Sequence, residues 1–226
     1  MQRNVTSTLR ALLAPALVVL AGTAGCASTA PPVAVPVATP ATAEKSRADD
    51  RILGSTGARV MIIEFTDLQC PYCARFASDT WPLLRERYVD TGKVRFATRD
   101  LPLPMHEFAV PAAVATRCAG QQGKFWEYRE ALFRDQSLLS QGRYAELAGR
   151  FGLDGTRFES CRADPAVLAA VRADAALAAS SGIASTPSFV IGLVTNGEFA
   201  GEVMSGAKSF EVFQQRLDSL LQQSQE

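Results

Sequence analysis

Between an apolar run, Val60-Met61-Ile62-Ile63-Glu64-Phe65, and a helix-like stretch from Ala74 to about Tyr88, the chain carries Cys70-Pro71-Tyr72-Cys73. Two cysteines at this spacing, placed at a strand-to-helix junction, point to a redox pair. The first falls at the helix N-terminus, where unpaired backbone N–H groups and the positive end of the macrodipole favour a thiolate. Such placement lowers a thiol pKa from about 8.5 into a range of roughly 3.5 to 7.5. The second, one turn further in, is expected to be more buried and suited to resolving a mixed disulfide. Pro71 costs no helical hydrogen bond, because first-turn N–H groups have no intrahelical partner anyway. The competing readings are half of a zinc site or a purely structural pair. Zinc sites commonly show two such pairs, and this chain has one.

Residues 1–25 contain Arg3 and Arg10, no acid, and an apolar core, Ala11 to Leu20, too short to span a bilayer. This pattern reads as a secretory signal. It ends in Gly22-Thr23-Ala24-Gly25-Cys26, which resembles the lipobox of bacterial lipoproteins, although Thr23 stands where leucine is commoner. The resemblance implies cleavage before Cys26 and lipidation of its sulfur. Ordinary cleavage near Ala30, with Cys26 discarded, is the alternative. Residues 26–52 are rich in Ala and Pro and show no apolar period, so they read as a tether.

Residues 53–226 remain, enough for one domain with a full core. The formal charge of the whole chain is +0, and without Arg3 and Arg10 it falls to about −2. No basic field is present to attract nucleic acid. The pattern predicts an α/β domain. The run from Val60 is apolar on both faces, as in a central strand covered by helices. Val94 to Thr98 repeats it after Thr91-Gly92 and is expected to pair with it in parallel. From Glu107 to Ser181 the pattern is helical. Ser188 to Ile191 and Glu198 to Met204 read as a hairpin around Asn196-Gly197. Phe210, Phe213, Leu217, Leu220 and Leu221 mark one face of a closing helix.

Three local features occur in order: Glu64-Phe65 ahead of Cys70-Pro71-Tyr72-Cys73, then Arg99-Asp100-Leu101-Pro102-Leu103-Pro104, then Thr186-Pro187 before the hairpin. On these the domain resembles the DsbA-like thiol-disulfide oxidoreductases, in particular the branch related to BdbD and DsbG. The resemblance covers roughly Ala58 to the C-terminus. It implies a thioredoxin fold with an inserted helical subdomain, about residues 105–182, capping the active site. It also implies that Glu64, the one charge in its strand, helps move a proton to or from Cys73. A carboxylate there is costly unless paired or neutral; the alternative is a strand end that reaches solvent. Thr186-Pro187 resembles the cis-proline loop, which with Pro71 and Tyr72 is expected to present an extended substrate to Cys70. Without the resemblance, Pro187 only marks a loop before a strand.

The remaining cysteines, Cys118 and Cys161, are expected to form a structural disulfide in an exported protein, with two buried free thiols as the alternative. His106, the lone histidine, has no matched cluster of ligands and reads as a helix-start or packing residue. The expectation is an extracytoplasmic thiol-disulfide oxidoreductase, tethered through Cys26 to a membrane. It needs no dissociable cofactor or metal beyond the Cys70–Cys73 pair. Its partners are thiol-containing exported proteins and a membrane redox partner. A monomeric oxidase is favoured, because the length leaves no room for the N-terminal dimerisation module of DsbC- and DsbG-type isomerases. Thr before the proline and Tyr72 within the motif occur in isomerases, so a reductase or isomerase stays open, as does a redox-inert chaperone-like or metal-binding module.

Overall fold

The computed structural model describes residues 33–34 and 49–224. Cys26, and with it the expected signal and lipidation site, lies outside the described residues. Among these residues six strands form one sheet: β1 (Val33–Ala34), β2 (Ile52–Leu53), β3 (Val60–Thr66), β4 (Val94–Asp100), β5 (Ser188–Thr195) and β6 (Glu198–Ser205). Their spatial order is β1-β6-β5-β3-β4-β2. Only β3 and β4 pair in parallel; the other neighbours are antiparallel. The sheet therefore places β3, the strand that runs up to Cys70, at its centre.

The alternation of β3 explains why it reads as a continuous apolar run. Val60 and Ile62 pack on one face with Phe76, Trp81, Phe96 and Phe213. Met61, Ile63 and Phe65 pack on the other with Ala97, Ala178 and Val190. Both faces are covered, so no polar alternation survives. Aromatic rings fill the first face closely, with Trp81 and Phe96 centroids 4.3 Å apart. In the hairpin of β5 and β6 the loop residues Asn196 and Gly197 take φ of 54° and 85°, as a two-residue turn matched to strand twist requires. Gly192 faces Gly201 across that hairpin, and a Cβ on it would stand 1.9 Å from the Ala200 carbonyl oxygen.

The first helical run, α1 (71–89), begins at Pro71 rather than Ala74 and contains two π-helical segments, Phe76–Thr80 and Arg85–Val89. Between β4 and β5 come α2 (Ala109–Gly120), α3 (Phe125–Arg134), α4 (Ser137–Ser140), α5 (Tyr144–Arg150), α6 (Gly155–Ala163) and α7 (Pro165–Ser180). Asp154 and Asp164 cap α6 and α7 by accepting from the backbone N–H groups of Arg157 and Ala166, each at 2.8 Å. The insertion has a core of its own, which includes Ala112, Tyr128, Leu132, Phe158 and Val171 and extends to Leu68, Cys70 and Cys73. Cys118 and Cys161 are bonded, S–S 2.02 Å, joining α2 to α6. The last helix, α8 (Phe210–Gln223), buries Phe210, Phe213, Leu217 and Leu220 on the aromatic face.

The boundary drawn at residues 52/53 is corrected by the structure. Ile52 pairs with Ala97 on β4, and Arg51 reaches Asp174 of α7 at 2.7 Å, so the folded part begins before residue 53. Val33–Ala34, within the stretch read as a tether, pairs with Ala200–Gly201 of β6. Two-residue strands are too short to leave a period, so composition alone assigns them to the linker. Arg51, Arg99 and Arg117 all converge on Asp174, at 2.7, 3.8 and 2.5 Å. This ties the residue before β2, together with β4 and α2, to the last helix of the insertion.

Candidate active site

Strand β3 ends at Thr66, and a short loop delivers Cys70 to the start of α1. Cys70 precedes the helix in an extended conformation, with Pro71 at its first position. Cys70 is 3% exposed and Cys73, one turn in, is 0% exposed. Both are unbonded thiols here. Tyr72 between them is 57% exposed, and the Arg75 guanidinium lies 5.1 Å from its ring centre. The Thr186–Pro187 peptide is cis, and the Thr186 carbonyl lies 3.5 Å from Cys70 Sγ. The two stretches singled out from the sequence, 116 residues apart, therefore meet at one sulfur.

The two thiols are driven in opposite directions. Cys70 is lowered to about 5 chiefly by a hydrogen bond from the Cys73 thiol, against burial, with the Thr186 hydroxyl and the backbone N–H groups of Cys73 and Tyr72 adding to it. The helix N-terminus credited from the sequence thus acts, but behind the neighbouring thiol. Cys73 is pushed well above an ordinary thiol by burial and by the adjacent Cys70 charge. At neutral pH these shifts leave the outer sulfur as a thiolate and the inner one protonated.

Glu64 sits on the β3 face shared with Val60 and Ile62 and is 0% exposed, which removes the alternative of a carboxylate reaching solvent. Its Oε2 accepts from Arg129 Nη2 at 2.5 Å, and Arg129 is itself 1% exposed. Burial raises the Glu64 pKa, against the Arg129 charge. The guanidinium lies 4.7 Å from the Phe133 ring centre and 5.5 Å from that of Trp126. Aromatic faces thus replace part of its water. Arg129 belongs to α3, so the insertion supplies the counter-ion for a residue of the central strand.

The loop before Cys70 is held from three sides. Asp67 Oδ1 accepts from the Gln69 backbone N–H at 2.7 Å. Its Oδ2 accepts from Leu103 N–H at 2.8 Å and lies 2.7 Å from His106 Nδ1. Gln69 Oε1 accepts from Phe108 N–H at 2.6 Å, and Gln136 Nε2 donates to the carbonyls of Leu68 and Cys70 at 2.8 and 3.3 Å. His106 does stand at the start of α2, its carbonyl accepting from the Ala109 N–H at 3.2 Å, and its ring is in addition a partner of a buried carboxylate. Sequence reasoning missed Arg129, Asp67, Gln69 and Gln136. Two signals existed. Asp67 two residues before Gln69 is an Asx-turn spacing, and Arg129 puts a charge on the α3 face that also carries Phe125, Trp126, Leu132 and Phe133.

No cluster of three or more His, Cys, Asp or Glu side chains able to hold a metal occurs among the described residues. No helix among them is long and apolar enough to cross a membrane.

A thioredoxin family model matches residues 46–219. Among solved structures, Wolbachia pipientis alpha-DsbA1 superposes with a TM-score of 0.67 at 25% identity, covering 76% of this chain and 91% of that one. Pseudomonas aeruginosa DsbA2 gives 0.61 at 30% identity, covering 78% and 97%. The chain belongs to the thioredoxin family and, within it, is DsbA-like in fold. Among curated relatives, the Na(+)/H(+) antiporter NhaA 3 of Salinispora tropica is 34% identical over 160 residues, 70% of this chain. The chain spans only 24% of that antiporter's length.

Proposed function

We propose that the protein is an exported oxidase that introduces disulfides into other exported proteins through Cys70-Pro71-Tyr72-Cys73. The observation that carries this reading is the pair of opposed thiols, with Cys70 lowered to about 5 and Cys73 raised. A strongly stabilised Cys70 thiolate favours the reduced form over the disulfide, and a low-pKa sulfur leaves readily. Both make the disulfide an oxidant. A substrate thiolate attacks Cys70 Sγ, the Cys70–Cys73 bond breaks, and Cys73 takes the electron pair. A second substrate thiolate then attacks the substrate sulfur of the mixed disulfide and releases Cys70. Glu64 supplies the proton that Cys73 gains and takes it back on reoxidation by a disulfide-bearing membrane partner. Pro71, Tyr72, Thr186 and Pro187 hold the substrate chain beside Cys70, while the Cys118–Cys161 bond is structural. Two cysteines suffice for the chemistry, so no cofactor is required. The protein acts as a monomer outside the cytoplasm, on a lipid anchor at Cys26.

The test is the reduction potential, measured by equilibrating the protein with glutathione buffers and counting free thiols after an acid quench. A value near −120 mV, as for strong oxidants of this fold, is expected. A value near −270 mV with Cys70 titrating as an ordinary thiol replaces the oxidase reading by a reductase.

A further inference from the structure

Five polar atoms meet around Glu64 with no hydrogen-bond partner: Glu64 Oε1, Thr66 Oγ1, Thr98 Oγ1, and Arg129 Nε and Nη1. All are buried, where an unmade hydrogen bond is costly. Thr66 lies two residues beyond Glu64 on the same strand, so the two side chains share a face. Its hydroxyl is within reach of both the Glu64 carboxyl and the Cys73 sulfur, and is committed to neither. Thr98, opposite Glu64 on β4, flanks the carboxyl as well.

We propose that the Thr66 hydroxyl is the relay between Glu64 Oε1 and Cys73 Sγ, and that Arg129 is a positioning residue which occupies Oε2 and leaves the exchangeable proton on Oε1. The proposal rests on the reading of Glu64 as the proton source. A hydroxyl has one donor and two acceptor lone pairs, so it can accept from a carboxylic acid while donating to a thiolate. When a substrate thiolate bonds to Cys70 Sγ, the Cys70–Cys73 bond breaks and Cys73 leaves as a thiolate. The Thr66 O–H proton passes to that sulfur, and the Glu64 Oε1 proton replaces it on Thr66. Cys73 ends as a thiol, Glu64 as a carboxylate paired with Arg129, and Thr66 unchanged. On reoxidation, Cys70 thiolate attacks the disulfide of a partner. Cys73 returns its proton by the same route and attacks Cys70 Sγ, and the partner leaves reduced by two electrons. The groups facing Glu64 are Arg129 from α3, Thr66 and Thr98 from the sheet, and Cys73 through Thr66; Phe189, its neighbour on β5, does not titrate.

The experiment measures reduction of the oxidised protein by dithiothreitol between pH 5 and 8.5, each rate divided by the concentration of dithiothreitol thiolate. For the unaltered protein this corrected rate falls about tenfold or more as pH rises and Glu64 loses its proton, within the usual span of general acid catalysis. Thr66→Val abolishes the step and holds the rate at its alkaline value throughout, while Thr66→Ser restores it. Glu64→Gln is also flat, and combining it with Thr66→Val lowers the rate no further. Thr98→Val keeps the step. Arg129→Lys, which retains charge but not the fork, keeps the step and moves its midpoint. A step that persists in Thr66→Val but not in Glu64→Gln overturns the relay and leaves the Glu64 reading standing. A step that persists in Glu64→Gln overturns that reading. Equal slowing of Thr66→Val at every pH, or loss of the step in Thr98→Val, marks a structural effect and overturns the relay. An unmoved midpoint in Arg129→Lys overturns its positioning role.

Discussion

Replacing Cys73 by Ala removes the largest single cause of the low Cys70 pKa, the hydrogen bond from the Cys73 thiol. A hydrogen bond to a charged group contributes about 1.5–3 kcal/mol, and one pKa unit corresponds to about 1.4 kcal/mol. The Cys70 titration is therefore expected to rise from about 5 by roughly one to two units. The Thr186 hydroxyl and the first backbone N–H groups of α1 remain and keep it below an ordinary thiol. Cys73→Ser retains an O–H donor and shifts it less. The assay is the ultraviolet absorbance of the thiolate in the reduced protein, followed from pH 3 to 10. The same depressed pKa makes the reduced protein's stability pH-dependent. The folded value lies below the unfolded one, so the contribution is complete above about 9 and is lost as pH falls through about 5. At pH 7 it is at most about 2.7 kcal/mol, and solvent at the sulfur reduces that by roughly half. Urea denaturation at pH 5 and pH 7 should show reduced protein gaining on oxidised protein by this amount. A Cys70 curve unmoved in Cys73→Ala refutes the assignment to Cys73, and a curve that rises to an ordinary thiol refutes any part for the helix N-terminus.

Arg129→Met strips the buried Glu64 of its counter-ion and should cost about 3–5 kcal/mol in urea denaturation, whereas Arg129→Met with Glu64→Leu should recover most of it; equal loss in both would mean that packing, not charge, is at stake. Replacing both Cys118 and Cys161 by Ala releases a cross-link between residues 43 apart and should lower stability by about 4 kcal/mol in the chain-entropy model, with the Cys70 titration unchanged. His106→Ala leaves Asp67 Oδ2 with the Leu103 N–H alone and should destabilise by about 1–3 kcal/mol. Its dithiothreitol reduction rate should stay within about twofold, and a larger loss would make His106 part of the chemistry.

What the sequence determined by itself is local or chain-ordered. The alternating burial of β3 makes a run in which a single carboxylate stands out. Cys-x-x-Cys at the end of such a run places one sulfur before a helix and the other inside it, and Asn196-Gly197 between two apolar stretches sets the register of the hairpin. These features depend on residues a few positions apart, so they are written in spacing. The tertiary structure decided what spacing does not encode. It made the Cys73 thiol, rather than the helix alone, the main support of the Cys70 thiolate, a matter of side-chain approach across one turn. It brought Arg129 from the insertion to Glu64 across 65 residues, His106 to Asp67 across 39, and Arg51 to Asp174 across 123. It also set two-residue strands on both edges of the sheet, where pairing depends on a neighbour already in place. A buried charge announces in sequence that it needs a partner, because burial without one is too costly. Only the packing of the insertion against the sheet decides which partner that is.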